Sequence, residues 1–115
     1  LRRDLALSYL SAGDIFSLNG SDQTAIENYI RSAEILESPQ LLAQSPDNLG
    51  ENYENIGDLY LKGKRFQDAK VWYEKALSVW SDLQAKGQMM PVAAVKADDL
   101  RRSIAKCEAT TNTRR

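Results

Sequence analysis

Apolar residues recur every three or four positions through most of this chain, which is the spacing of an α-helix. Over residues 5–18 the apolar or small positions are Leu5, Tyr9, Ala12, Gly13 and Phe16. The run Asn19-Gly20-Ser21 follows, where Gly favours a helix end and Ser can cap the next helix. The sequence therefore predicts one helix over 5–18 and a second over about 22–37.

The same pattern resumes after Ser38-Pro39, which ends the second helix. We expect residues 40–44 to form an extra turn or a loop. Ser45-Pro46-Asp47 combines an N-cap, a Pro at the first helical position and an acid in the first turn, so it predicts a third helix that runs to Lys62. A fourth helix is predicted over about 66–86, with Gly87 as its stop.

A last helix is predicted to begin between residues 92 and 97 and to end near 109. Leu100, Ile104 and Cys107 lie on one side of it, and charged residues cover the rest. One apolar stripe with one solvated face is typical of a helix that closes a stack. Residues 110–115 lack packing side chains, and we expect a flexible tail.

The first and second pairs of predicted helices carry the same residues 44 positions apart. Identical pairs include Leu5 and Leu49, Tyr9 and Tyr53, Gly13 and Gly57, Asp14 and Asp58, Ala25 and Ala69, and Tyr29 and Tyr73. Gly in the middle of a helix costs about 1 kcal/mol relative to Ala, so its repetition indicates a close helix contact. We expect the alanines to supply the matching small surface and the tyrosines to fill the space beside it.

These repeated residues resemble the tetratricopeptide repeat family. The second copy reads Tyr53-x2-Ile56-Gly57-x2-Tyr60 and then Ala69-x3-Tyr73-x2-Ala76, close to the family's aromatic-x2-Leu-Gly-x2-Tyr…Ala-x3-Phe pattern. The first copy reads Tyr9-x2-Ala12-Gly13-x2-Phe16 and then Ala25-x3-Tyr29, with Ser32 where the family prefers Ala. The period exceeds the family's 34 residues by ten. We assign the excess to a longer second helix and to the insertion 38–44.

The resemblance implies an all-α fold, a tetratricopeptide-like α-α superhelix of two helical hairpins and a C-terminal capping helix. The domain would span 1–109, with repeats over about 5–38 and 47–81, a capping helix over about 92–109 and the tail 110–115. The segment Arg3-Asp4-Leu5-Ala6-Leu7-Ser8-Tyr9, and the endings 78–83 and 104–107, also resemble bacterial multidomain proteins in which such repeats follow a serine/threonine kinase domain. Because the chain begins at Leu1, we interpret it as a fragment of such a protein.

Composition argues against catalysis. The chain has no His and a single cysteine, Cys107, which we expect to be a buried small hydrophobe. No phosphate-binding or kinase motif is present, so we predict a non-enzymatic fragment without cofactor or metal. A net charge of −1 gives no reason to expect nucleic acid, and no apolar run is long enough for a membrane span. We expect a cytoplasmic protein, or an extracytoplasmic region if a membrane span precedes it.

In this family the first helix of each pair lines a concave face, and the resemblance therefore implies a binding groove for a protein or peptide. Its predicted residues in the second copy are Glu51, Glu54, Asn55, Asp58 and Lys62, and in the first copy Leu7, Leu10, Ser11, Asp14 and Ser17. Asn55 is the strongest candidate because its amide can both donate to and accept from a ligand backbone. The acids favour a basic or neutral segment over a carboxylate.

Several alternatives stay open at this stage. The acids can instead form a solvated helix face, and Leu7 and Leu10 can pack against a preceding repeat. Trp72 either contacts a partner or packs under the last helix, and we favour packing, whereas Trp80 is predicted to lie in the core. Because about three repeats are usually needed for a stable stack, self-association as a homodimer or packing against a parent kinase is the alternative function.

Overall fold

The computed structural model describes residues 2–113, with the backbone alone for 112 and 113, and these residues form six α-helices and no strand. The helices are α1 (Arg2–Leu18), α2 (Asp22–Leu36), α3 (Pro39–Gln44), α4 (Pro46–Lys62), α5 (Phe66–Ala85) and α6 (Val92–Thr113). Among the described residues, none of these helices is both long and apolar enough to span a membrane. The fold is an all-α, tetratricopeptide-like stack of helical hairpins.

The repeat in the sequence is a repeat in the structure. Helices α1 and α2 form one hairpin and α4 and α5 form the other, and α1 and α4 begin and end at positions 44 residues apart. Ser21 and Ser45 occupy the N-cap positions of α2 and α4 as the sequence predicts, but neither side chain makes a capping hydrogen bond. Pro46 is the first residue of α4, also as predicted. The tight turns need one residue with positive φ. It is Gly20 at +80° in the first hairpin and Lys64 at +62° in the second.

Much of the excess in the period lies between the hairpins, where residues 37–45 separate α2 from α4. Helix α2 contains 15 residues and ends at Leu36, one residue before the predicted end. Residues 39–44 form the separate short helix α3, which Pro39 begins and which buries Leu41. The insertion is thus a structured spacer between α2 and α4.

Helix α6 is a third member of the series α1 and α4. Another step of 44 residues leads from Leu49, Tyr53 and Ile56 of α4 to Ala93, Ala97 and Leu100 of α6, and all six are buried. The same step puts Arg101 and Arg102 at the positions of Gly57 and Asp58. Helix α6 therefore keeps the buried residues by which it packs on the preceding hairpin. Where α4 contacts its second helix, α5, helix α6 carries arginines instead.

The end of α6 differs from the prediction. The helix continues to Thr113, so the boundary predicted at 109 is too early, and the remainder of the predicted tail, 114–115, lies outside the described residues. The hydroxyls of Thr110 and Thr111 donate to the carbonyl oxygens of Lys106 and Cys107 at 2.9 Å each. These bonds give both hydroxyls an acceptor within the helix itself.

The core consists of two connected clusters of apolar side chains. Trp80 and Cys107 are buried in the larger cluster, as predicted, and burial raises the pKa of the Cys107 thiol. Trp72 is partly buried with its ring 5.9 Å from that of Tyr53, so it packs against α4. Leu10 packs with Ile26 and Ile56 in the smaller cluster, so the expectation that Leu10 faces a preceding repeat is wrong.

Candidate functional site

A tyrosine ring lies on a helical glycine in each hairpin. A Cβ atom on Gly13 would come within 2.6 Å of the Tyr29 ring, and one on Gly57 within 2.7 Å of the Tyr73 ring. Since real Cβ atoms do not approach this closely, the glycines allow α1 and α4 to contact α2 and α5 directly. The ring itself fills the space above the glycine, rather than lying only beside the contact.

The hydroxyl of each tyrosine then reaches the aspartate that follows the glycine. Tyr29 donates to Asp14 Oδ1 at 2.5 Å, and Tyr73 donates to Asp58 Oδ1 at 2.6 Å. Burial, followed by the hydrogen bond and charge of the aspartate, raises the pKa of both tyrosines well above the usual value. The phenols are therefore neutral donors, and they hold each carboxylate in one orientation.

Four carboxylates share one surface of α1 and α4, and we call Asp14, Glu51, Glu54 and Asp58 the acidic face. Partial enclosure, then the charges of Asp14 and, after it, of Asp47 and Glu54, raises the pKa of Glu51. Partial enclosure and the charge of Glu54 also raise the pKa of Asp58, while its bond from Tyr73 works in the opposite direction. These mutual effects show that residues from the two repeats act on each other across this surface.

Lys96 of α6 lies at the edge of the acidic face. Its Nζ is 3.1 Å from Glu54 Oε1, so it neutralises part of the negative charge and links the capping helix to α4. Lys96 is absent from the site residues predicted from the sequence. The signal that could have found it is the 44-residue register, which makes α6 a first-helix equivalent that packs on α5 and brings Lys96 to Glu54.

The remaining predicted site residues, Asn55, Lys62 and Ser11, lie in three different surroundings. Asn55 is half-buried next to the acidic face, and its side chain makes no hydrogen bond in the part of the chain that the structure describes. Lys62 instead forms a salt bridge of 3.2 Å with Asp22 at the start of α2. Ser11 is exposed and lines a shallow depression on α1 together with Ser8 and Ile15. The structure therefore groups Asp14, Glu51, Glu54, Asn55 and Asp58 and leaves Lys62 and Ser11 outside.

This arrangement is suited to holding a cationic or hydrogen-bonding group. Each tyrosine-bound aspartate keeps lone pairs that can accept from an ammonium or guanidinium group. Glu51 makes no salt bridge within residues 2–113, and its pKa is raised first by partial enclosure and then by the neighbouring carboxylates. A cation placed here would offset the charge of those carboxylates.

Comparison with known protein families finds that residues 50–79 match the family described as Tetratricopeptide repeat. The matched segment includes most of α4 and of α5, which is the second hairpin. Neither the comparison with curated proteins nor that with solved structures finds a match to the chain. Tetratricopeptide repeats generally mediate contacts between proteins, and their helical fold is typically a non-catalytic scaffold.

Proposed function

We propose that the acidic face, with Asn55, binds a basic or neutral segment of another protein. The observation that carries the proposal is the pair of aspartates, Asp14 and Asp58, held by Tyr29 and Tyr73 in the same way in both hairpins. Besides stabilising each hairpin, these bonds fix the two carboxylates before any ligand arrives. Fixed acceptors lose less conformational entropy when a ligand binds, and this favours recognition.

The charge balance supports a basic ligand over an acidic one. Lys96 is the cation beside this face in the described residues, and Glu54 already pairs with it. A ligand carboxylate would meet Asp14, Glu51 and Asp58, and like charges brought together disfavour binding. A lysine or arginine of the ligand would instead pair with Glu51.

Asn55 gives the proposed contact its directionality. It lies one helical turn from Glu51 and three residues before Asp58, so the three side chains share a stripe of α4. The amide of Asn55 can donate to a ligand carbonyl and accept from a ligand N–H together. Neighbouring carboxylates would then select the side chains on either side of that backbone contact.

Isothermal titration with three peptides of equal length, one rich in Lys, one neutral and one rich in Glu, tests this proposal. We expect the basic peptide to bind most tightly and its affinity to fall with added salt. Glu51→Lys and Asn55→Ala should each weaken binding roughly five- to ten-fold. Glu27→Lys, an exposed residue of α2, is the control for the change in net charge. Binding that Glu51→Lys and Asn55→Ala leave unchanged would overturn the assignment.

The proposal also concerns the longer, kinase-containing protein that the sequence resemblance implies. In that view the repeat recruits a partner to a serine/threonine kinase or regulates it from within the same chain, and it acts in the cytoplasm. The full-length gene product tests both points. A gene without an upstream kinase domain, or with a membrane span before the repeats, would contradict them.

A further inference from the structure

Helix α1 presents an apolar stripe to solvent at a place where the second repeat is covered. Leu5 is 50 % and Ile15 is 58 % exposed, whereas their equivalents 44 residues later, Leu49 and Leu59, are 3 % and 8 % exposed. In the second repeat this stripe packs against α2 of the first repeat. The stripe on α1 is therefore built as a packing surface and, among the described residues, has no helix over it.

The stripe on α1 lacks the polar contacts by which α4 holds α2. On α4, Asn52 donates to Ser32 at 2.9 Å and Lys62 pairs with Asp22. The equivalents on α1 are Ser8, whose hydroxyl donates to the carbonyl of its own Asp4 at 3.0 Å, and Leu18, which is 87 % exposed. A covering helix of the α2 kind would find none of these partners, so the observations favour an occupant that needs only apolar and small contacts.

A second copy of α1 is such an occupant because the stripe is complementary to itself. Leu5, Ser8, Ala12 and Ile15 are spaced by three, four and three residues, which is the seam along which two helices pack side by side. The four positions are symmetric about residue 10. In an antiparallel pair, Leu5 of one copy therefore meets the partner's Ile15, and Ser8 meets the partner's Ala12. The small residues at the centre allow the two helices to approach closely.

Charges at the ends of α1 support the antiparallel direction. Arg3 donates to Ser45 Oγ at 2.8 Å within the same copy, and Arg2 is exposed at the start of the helix. The last turn of α1 contains no basic residue. Antiparallel pairing brings Arg2 of each copy to the negative end of the other helix, where a cation is stabilising.

We propose that this chain forms a two-fold symmetric homodimer through the Leu5–Ile15 stripe of α1. The assembly closes at two copies because the opposite end of the stack is covered by α6, whose outer side carries Asp98, Asp99, Arg101 and Arg102 in salt bridges. This surface is separate from the acidic face, so the homodimer does not depend on the proposed peptide binding.

Sedimentation equilibrium over a range of concentrations tests the homodimer. The chain has a mass of 12.9 kDa, and we expect the mass to approach twice that value as the concentration rises. Leu5→Lys and Ile15→Glu alone should each weaken association at least about ten-fold. Mixing the two variants should restore a dimer, because an introduced ammonium then faces an introduced carboxylate while Ile15 of one copy still meets the partner's Leu5.

The controls distinguish an effect on the interface from an effect on folding. Val71→Lys changes a residue of α5 that is 49 % exposed, and it should leave the dimer intact. Circular dichroism should show unchanged helix content in all variants, because the substituted side chains are at the surface. A chain that stays monomeric up to roughly 500 µM, far above the affinity of a specific dimer, would overturn the proposal. So would a dimer that Ile15→Glu leaves unchanged, or a mixture that associates no better than either single variant.

Discussion

The hydroxyl of Tyr73 donates to Asp58 Oδ1 at 2.6 Å, and 44 residues earlier Tyr29 makes the same bond to Asp14 at 2.5 Å. In both hairpins the tyrosine ring covers the glycine that precedes the aspartate. Glycine, aspartate and tyrosine thus form one unit in which the residues that pack the hairpin also orient a carboxylate of the acidic face. Stability of the hairpin and the electrostatics of the face are therefore coupled.

Gly57→Ala should destabilise the protein. A Cβ at this position would lie 2.7 Å from the Tyr73 ring, which is 1 % exposed and has no room to move outward. Overpacking of this kind costs roughly 1–3 kcal/mol, and the better helix propensity of Ala recovers about 1 kcal/mol of it. We expect urea denaturation to show a net loss of up to about 2 kcal/mol in the free energy of unfolding.

Gly63→Ala is the matched control for that substitution. The nearest atoms to a Cβ on Gly63 are carbonyl oxygens at 3.6 Å, an ordinary contact, and its φ of −81° suits any residue. The free energy of unfolding should stay the same or rise by up to about 1 kcal/mol, because Ala reduces the freedom of the unfolded chain. Equal effects at both glycines would show that the tyrosine contact does not require Gly57.

Tyr73→Phe should reveal how the hydroxyl acts on Asp58. The hydrogen bond from Tyr73 favours the ionised carboxylate, so its removal should raise the pKa of Asp58 further above the usual value. The loss of one hydrogen bond should lower the free energy of unfolding by about 0.5–1.5 kcal/mol. NMR titration of the Asp58 carboxyl carbon measures the first effect. Tyr60→Phe, whose hydroxyl has no hydrogen-bond partner in the described residues, should change neither quantity.

Glu51→Gln should change how stability depends on pH. The pKa of Glu51 is raised in the folded state, so the folded protein binds this proton more tightly than the unfolded chain does. Stability associated with Glu51 is therefore present below its usual pKa of 4.5 and is lost as the pH rises through the raised value. The variant should be more stable than the parent at neutral pH, with an advantage that disappears below pH 4.5.

Urea denaturation of both proteins across this pH range measures the difference. Glu27→Gln on α2 removes the same charge from an exposed position and serves as the control. A constant difference between Glu51→Gln and the parent at every pH would contradict the raised pKa of Glu51 in the folded protein.

Local signals were sufficient to predict most of the fold. The caps Ser21 and Ser45 and the stop at Gly20 depend on the conformational preferences of single residues, so they can be recognised without knowledge of the packing. The sequence predicts only a turn or loop at the position of α3, because six residues are too few to show a helical period. Its position is set by contacts of Leu41 with the core, which lie beyond local sequence.

The candidate site was less accessible to sequence reasoning. The pairs Lys62 with Asp22 and Lys96 with Glu54 join residues 40 and 42 positions apart, and their formation depends on how helices from different hairpins pack. Leu10 is predicted to line the groove, because its equivalent in the second copy is Glu54 of the acidic face. The two positions are alike in the backbone and differ in their neighbours, since Leu10 contacts the apolar cluster of α2 and α4.

Leu100→Ala tests whether α6 is an integral member of the stack. Leu100 is 1 % exposed and continues the register of Ile56, so its truncation should lower the free energy of unfolding by about 2–5 kcal/mol. Val95→Ala on the same helix, at a residue 55 % exposed, should change it by no more than about 0.5 kcal/mol. If α6 unfolds together with the hairpins, the urea dependence of stability stays the same in both variants. A similar small effect at both positions, or a reduced urea dependence for Leu100→Ala, would show that α6 detaches before the hairpins unfold.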